Sequence, residues 1–218
     1  MSHNVIVGGF ASSERQMEVV ASALATYYDE EFDGISFREA MGDKERIGSL
    51  ARDANFYTHS AGMIAIRHTS PDAIIAVAPP LPVLPHNLVA CTIASALEFT
   101  ANSVLCGELG DRACIHDTIY ELIGHMYGNM KWLGHIAAFD SIQAGIAAQE
   151  AGITTSLAFM ERDRLFQPRP EELVRARESG VYAVILPGAH EQLISAPRRT
   201  IDAYENGVQP DAMLASIV

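Results

Sequence analysis

Basic residues are scarce in this chain of 218 residues: 15 Lys and Arg stand against 27 Asp and Glu, a formal net charge of -12. So acidic a surface repels phosphate backbones and anionic lipid, which removes nucleic acid and membranes from the expected partners. Long apolar runs are missing too. The most apolar stretch, residues 73–84, is interrupted by Pro79, Pro80 and Pro82 and falls short of the roughly 20 apolar residues a spanning helix needs. Cysteine is sparse: Cys91, Cys106 and Cys114 are odd in number and show no Cys-x-x-Cys spacing. That excludes a disulfide framework and a zinc site of the usual spacing, and the three read as buried thiols. The opening MSHNVIVGGFASSER has no basic region and only a short apolar stretch, so no secretory signal is legible and a cytoplasmic setting is expected.

What is present is a globular composition. Hydrophobic residues make up 49% and charged residues 19%, enough apolar mass for one buried core, so residues 1–218 are expected to form a single domain. Short β-branched runs at 4–7, 34–37, 55–59, 73–78, 154–160 and 182–186 alternate with amphipathic stretches at 13–28, 44–53, from 61, 170–178 and from 196. This alternation predicts an α/β fold, a mostly parallel sheet of about six strands with helices on both faces. The strand rhythm stops after Pro79 and resumes near Ala151. The residues between, notably 88–105 and 115–130, have helical spacing, so a helical insertion or lid is expected over about 80–150.

The most informative residues are Tyr57-Thr58-His59-Ser60-Ala61-Gly62, where a strand runs directly into a helix with serine at the junction. A serine on so sharp a turn is strained and exposed to a substrate, and small neighbours are needed for strand and helix to approach. Gly62 meets that need, and Thr58 stands where the usual G-x-S-x-G pattern has glycine. An active serine requires a base and a group that orients it, supplied in an open sheet by loops at the carboxyl ends of other strands. The fifth strand runs out into Glu161-Arg162-Asp163 and the sixth into Pro187-Gly188-Ala189-His190. The order is Ser60, Asp163, His190, which differs from the orders of the chymotrypsin and subtilisin types.

On this order, on the histidine loop followed by Pro197, and on Ser70-Pro71-Asp72 ahead of the fourth strand, the chain resembles a small α/β-hydrolase over residues 4–78 and about 140–212. The resemblance implies a serine hydrolase with Ser60 as nucleophile, His190 as base and Asp163 fixing the imidazole, acting through an acyl-enzyme on an ester, thioester or related bond. It also implies an oxyanion hole built from the Ala61 and Phe10 amides, with Gly9 letting backbone and substrate come close. No cofactor and no metal is expected. Two features depart from the family: Glu161 replaces the glycine common before the acid, and the antiparallel pair that usually opens the fold is expected to be absent. With Thr58 they motivate an alternative, a catalytically silent protein of this fold that serves as a binding or assembly module.

The expected substrate is a small neutral or apolar acyl compound. Tyr120, Met126 and Trp132 in the insertion are candidate substrate contacts, beside Phe99, Tyr127 and Met130. Such residues at helical spacing serve equally as core or as a face between two copies of the chain, so a homo-oligomer stays open. His59, on the strand, reads as structural. His116 and His125 differ by nine positions and would lie on opposite sides of one helix, which argues against metal ligation with His135. Gly8-Gly9 does not continue into G-x-G-x-x-G, so a dinucleotide site is not expected.

Overall fold

A computed structural model of the chain describes residues 3–51, 53–84, 87–90, 93, 124–125, 127–164 and 166–206. The first strand, β1 (His3–Val7), is followed by helix α1 (Glu14–Tyr28). Ser13 starts that helix with a capping box: its Oγ accepts from the Gln16 N–H at 3.2 Å, and Gln16 Oε1 accepts from the Ser13 N–H at 3.0 Å. Strand β2 (Phe32–Ile35) begins and ends two residues earlier than the 34–37 expected from β-branching. The reason is Ser36, whose side chain accepts from the Glu39 N–H and so starts helix α2 (Phe37–Gly42). Phe37, fully buried, therefore heads a helix instead of closing a strand. Gly34 is obligatory where α1 crosses β2, because a Cβ there would lie 2.5 Å from the Met17 carbonyl oxygen.

The chain continues through α3 (Lys44–Leu50), β3 (Ala54–His59), α4 (Gly62–Ile66) and β4 (Ala73–Val77). Ala78 leaves the strand with φ of 51°. After a 3-10 turn at Met130–Trp132 come α5 (Leu133–Ala137), α6 (Ser141–Glu150), β5 (Thr154–Met160), α7 (Pro170–Glu178), β6 (Tyr182–Leu186), α8 (Gln192–Ser195) and α9 (Pro197–Glu205).

The six strands form one sheet in the order β2-β1-β3-β4-β5-β6, and all five pairings are parallel. Both faces are covered, as a parallel sheet requires. Val5, Val7, Phe56 and Phe159 face Phe37, Ile64 and Ile142 on one side, while Ile6, Val77 and Leu186 face Met17, Leu24 and Ile201 on the other. Helix α6, at the end of the stretch expected as an insertion, lies against β5: a Cβ on Gly145 would be 3.2 Å from Leu157 Cδ1. Most of 88–105 and 115–130, with the three cysteines, lies outside the described residues. None of the described helices is long and apolar enough to cross a membrane. The chain turns from β1 to β2 on one side and later to β3 on the other, which makes the carboxyl ends of β1 and β3 a topological switch point, the place where open sheets of this kind bind ligands.

Candidate active site

Three strand ends meet at that edge. Ser60 follows β3 with φ of 49°, a left-handed value that costs a serine on the order of 1–3 kcal/mol and persists only where the surroundings impose it. They do so on two sides. The Ser60 N–H donates to the Val77 carbonyl at 2.9 Å, and α4 leaves at once from Gly62, where a Cβ would sit 2.4 Å from the Val7 carbonyl oxygen. The loop after β1 lies against the same turn, since a Cβ on Gly9 would be 2.9 Å from Ser60 Cβ.

Asp163 and His190 come from the loops after β5 and β6, which are stitched together by the Arg162 N–H donating to the Gly188 carbonyl at 2.8 Å. Asp163 is 1% exposed. Its Oδ1 accepts from the Phe166 N–H at 3.1 Å, and its Oδ2 lies 2.6 Å from His190 Nδ1. A carboxylate oxygen accepts, so Nδ1 carries the proton and Nε2 presents its lone pair. That lone pair faces Ser60 Oγ at 2.9 Å. The Phe166 ring, 5.4 Å from the imidazole between centroids, walls the pair.

A second imidazole stands behind the first. His59 Nε2 lies 3.0 Å from the His190 carbonyl oxygen, an acceptor only, so Nε2 is the protonated nitrogen and Nδ1 is left buried without a partner among the described residues. Burial lowers the His59 pKa, opposed in part by the negative charge of Glu191, and the ring stays neutral. The Glu191 carboxylate is 3.8 Å from His59 Nε2 and 3.9 Å from His190 Nε2. Donor atoms of these three residues lie within 4.8 Å of one another. A metal there would have to take the His190 lone pair from Ser60, so metal binding and the serine contact are mutually exclusive.

The chain matches no protein-family model and no curated protein in sequence. Solved structures do match. An E-2-(acetamidomethylene)succinate hydrolase aligns with TM-score 0.59 and 14% identity over 94% of this chain and 90% of that one. A carboxylesterase linked to the ammonia-oxidizing thaumarchaeon Nitrososphaera gargenis aligns at 0.57 and 12% over 100% and 92%. The thioesterase domain of the curacin biosynthetic pathway aligns at 0.52 and 13% over 90% and 88%. The chain has the α/β-hydrolase fold.

Within this fold the serine sits at the elbow after β3, and the structure brings Ser60, Asp163 and His190 together as the sequence order anticipates. Glu161 is exposed. Thr58 is accommodated at full burial, its Oγ1 lacking a partner among the described residues. The Phe10 and Ala61 amides, from the ends of β1 and β3, donate to no acceptor among the described residues. Phe10 itself is anchored: its ring packs edge-on against Phe37 with centroids 6.2 Å apart, and its carbonyl accepts from Asn129 Nδ2 at 2.6 Å. Asn129 carried no sequence signal, standing alone in a helical stretch far from any motif.

Trp132 lies on the α2–α4 side, lining a depression with Met41, Ile64 and Thr69, its ring 5.7 Å from that of His135. Among the described residues no hydrogen bond or ring contact joins it to Ser60, Asp163 or His190. Tyr120 and Met126 lie outside the described residues.

Proposed function

We propose that this protein is a serine hydrolase that cleaves an ester, thioester or related acyl bond of a small neutral or apolar molecule. The observation that carries the reading is the chain of two hydrogen bonds, 2.9 Å from Ser60 Oγ to His190 Nε2 and 2.6 Å from His190 Nδ1 to Asp163, on a serine held at positive φ. In the proposed cycle His190 takes the Ser60 proton as Oγ bonds to the carbonyl carbon, and the substrate oxygen acquires the negative charge. The Phe10 and Ala61 N–H groups receive that oxyanion. Collapse of the tetrahedral species breaks the bond to the leaving group, which takes the proton from His190. Water then repeats the sequence on the acyl-Ser60 ester, giving up one proton to His190 and releasing the acid with Ser60 restored. Asp163 stays ionised throughout and holds the imidazole in the tautomer whose Nε2 accepts the Ser60 proton.

Carboxylates at 163 and 191 beside the histidine, within a chain of net charge -12, support a neutral over an anionic substrate. Under this reading Tyr120 and Met126 in the insertion select the acyl group.

A fluorophosphonate probe tests serine activation without knowledge of the substrate. Intact-mass analysis is expected to find one adduct on the wild type and none on Ser60→Ala. A folded wild type that forms no adduct overturns the reading in favour of a silent binding module.

A further inference from the structure

The Phe10 N–H belongs to the Gly9–Phe10 peptide, which borders the nucleophile: the Cβ position of Gly9 is 2.9 Å from Ser60 Cβ. The carbonyl of that same peptide, Gly9 O, accepts from the Ser12 N–H at 3.0 Å. In a trans peptide the C=O and N–H point in opposite directions, so a bond on the carbonyl side aims the N–H from behind. The next peptide, Phe10–Ala11, is free of the sheet, and its carbonyl is fixed by the Asn129 side chain at 2.6 Å. With both planes that flank its Cα held, Phe10 has little rotational freedom left at φ and ψ.

Asn129 is fully buried. Because the Phe10 oxygen can only accept, the amide must turn its nitrogen toward it, and Asn129 Oδ1 is then stranded without a partner among the described residues. The side chain thus satisfies one buried acceptor and exposes another to the same penalty, a poor exchange for stability. What it does supply is direction. We propose that Asn129 is a positioning residue for the oxyanion hole, reaching from the segment ahead of the 3-10 turn to lock the Phe10 backbone so that its N–H stays aimed at the space beside Ser60. The proposal rests on the serine-hydrolase reading and adds that the hole is assembled from outside the β1 loop.

The test compares wild type, Asn129→Leu and Asn129→Asp with p-nitrophenyl butyrate as substrate and a trifluoromethyl ketone as transition-state analogue. Loss of an aimed donor acts on the developing oxyanion and spares the ground state. Asn129→Leu is expected to lower kcat about 10- to 100-fold, to weaken the ketone by a similar factor, and to leave KM within about twofold. Asn129→Asp keeps the shape but donates only when its carboxyl is protonated, so its kcat relative to wild type should climb as the pH is taken from 8 to 5. An unchanged kcat in folded Asn129→Leu, or a raised KM at constant kcat, overturns the proposal. So does an Asn129→Asp to wild-type ratio that is depressed and flat with pH, a readout that survives even if the leucine variant does not fold. Failure of the underlying reading looks different: wild type itself then forms no fluorophosphonate adduct, and both ideas fall together.

Discussion

The two edges of the sheet differ in how they partner their buried side-chain amides and hydroxyls. At the amino edge, Asn4 and Asn55 are neighbours on β1 and β3 and their amides are well paired: Asn4 Nδ2 donates to Glu30 Oε2 at 2.6 Å, and Asn55 Nδ2 donates to Asn4 Oδ1 at 3.1 Å. At the carboxyl edge, Thr58 Oγ1, His59 Nδ1 and Asn129 Oδ1 are buried without partners among the described residues. Ser60 and Ala78 hold positive φ there, whereas the positive-φ side chains at the amino edge are Asp29 and Asp53, a residue type that tolerates the left-handed region better. Each stranded group costs about 1–3 kcal/mol, and each strained backbone a similar amount. The amino edge is organised to keep the sheet together. The carboxyl edge concentrates unpaired side-chain atoms and a strained serine, the features on which the proposed hydrolase reading draws.

The sharpest way to break this contrast is to disarm the carboxyl edge alone. His190→Ala should lower turnover by about four to six orders of magnitude, and Asp163→Asn by on the order of 10⁴ through the wrong imidazole tautomer, as steady-state rates on an activated ester would read. The Asp163→Asn protein should remain folded by circular dichroism. Full activity in that variant would remove Asp163 from the mechanism and return Glu161 to consideration.

The converse variant is smaller in effect. Asn4→Ala takes away the acceptor for Asn55 and the donor to Glu30 at a buried position, and should cost about 1–3 kcal/mol of stability. In a chain of this size that lowers Tm by about 2–4 °C per kcal/mol, with kcat unchanged. A melting curve that does not move would mean the amino-edge pairs contribute nothing, and a lost kcat would dissolve the distinction between the edges.

How much of this was legible beforehand follows from the same physics. Burial on both faces makes the strands of a parallel sheet read as apolar runs, which is why β5 and β6 fall at the residues expected while β2 does not: its end is decided by the Ser36 cap, a side-chain contact that periodicity does not register. Ser60, Asp163 and His190 were legible because each stands at a strand end, where local pattern and chemistry coincide. Asn129 and the pairing of His59 with the His190 carbonyl were not, since each is a contact between residues more than a hundred positions apart and no local pattern calls for either side chain to make it.

The least of the expected effects concerns His59, a buried imidazole beside the serine turn. Its pKa is lowered on folding, first by burial. Above about pH 6.5 the ring is neutral in both folded and unfolded chains, and the full stability is present. As the pH falls below that value the unfolded chain takes up a proton that the folded one resists, so stability is lost on acidification at up to about 1.4 kcal/mol per pH unit until the lower, folded pKa is reached. His59→Gln retains a donor for the His190 carbonyl and removes this titration. Denaturant unfolding of the two proteins between pH 7 and pH 5 should therefore give the wild type the steeper decline. Parallel curves would show that His59 gains its proton as readily in the fold as out of it, and that its burial does not oppose the charged form.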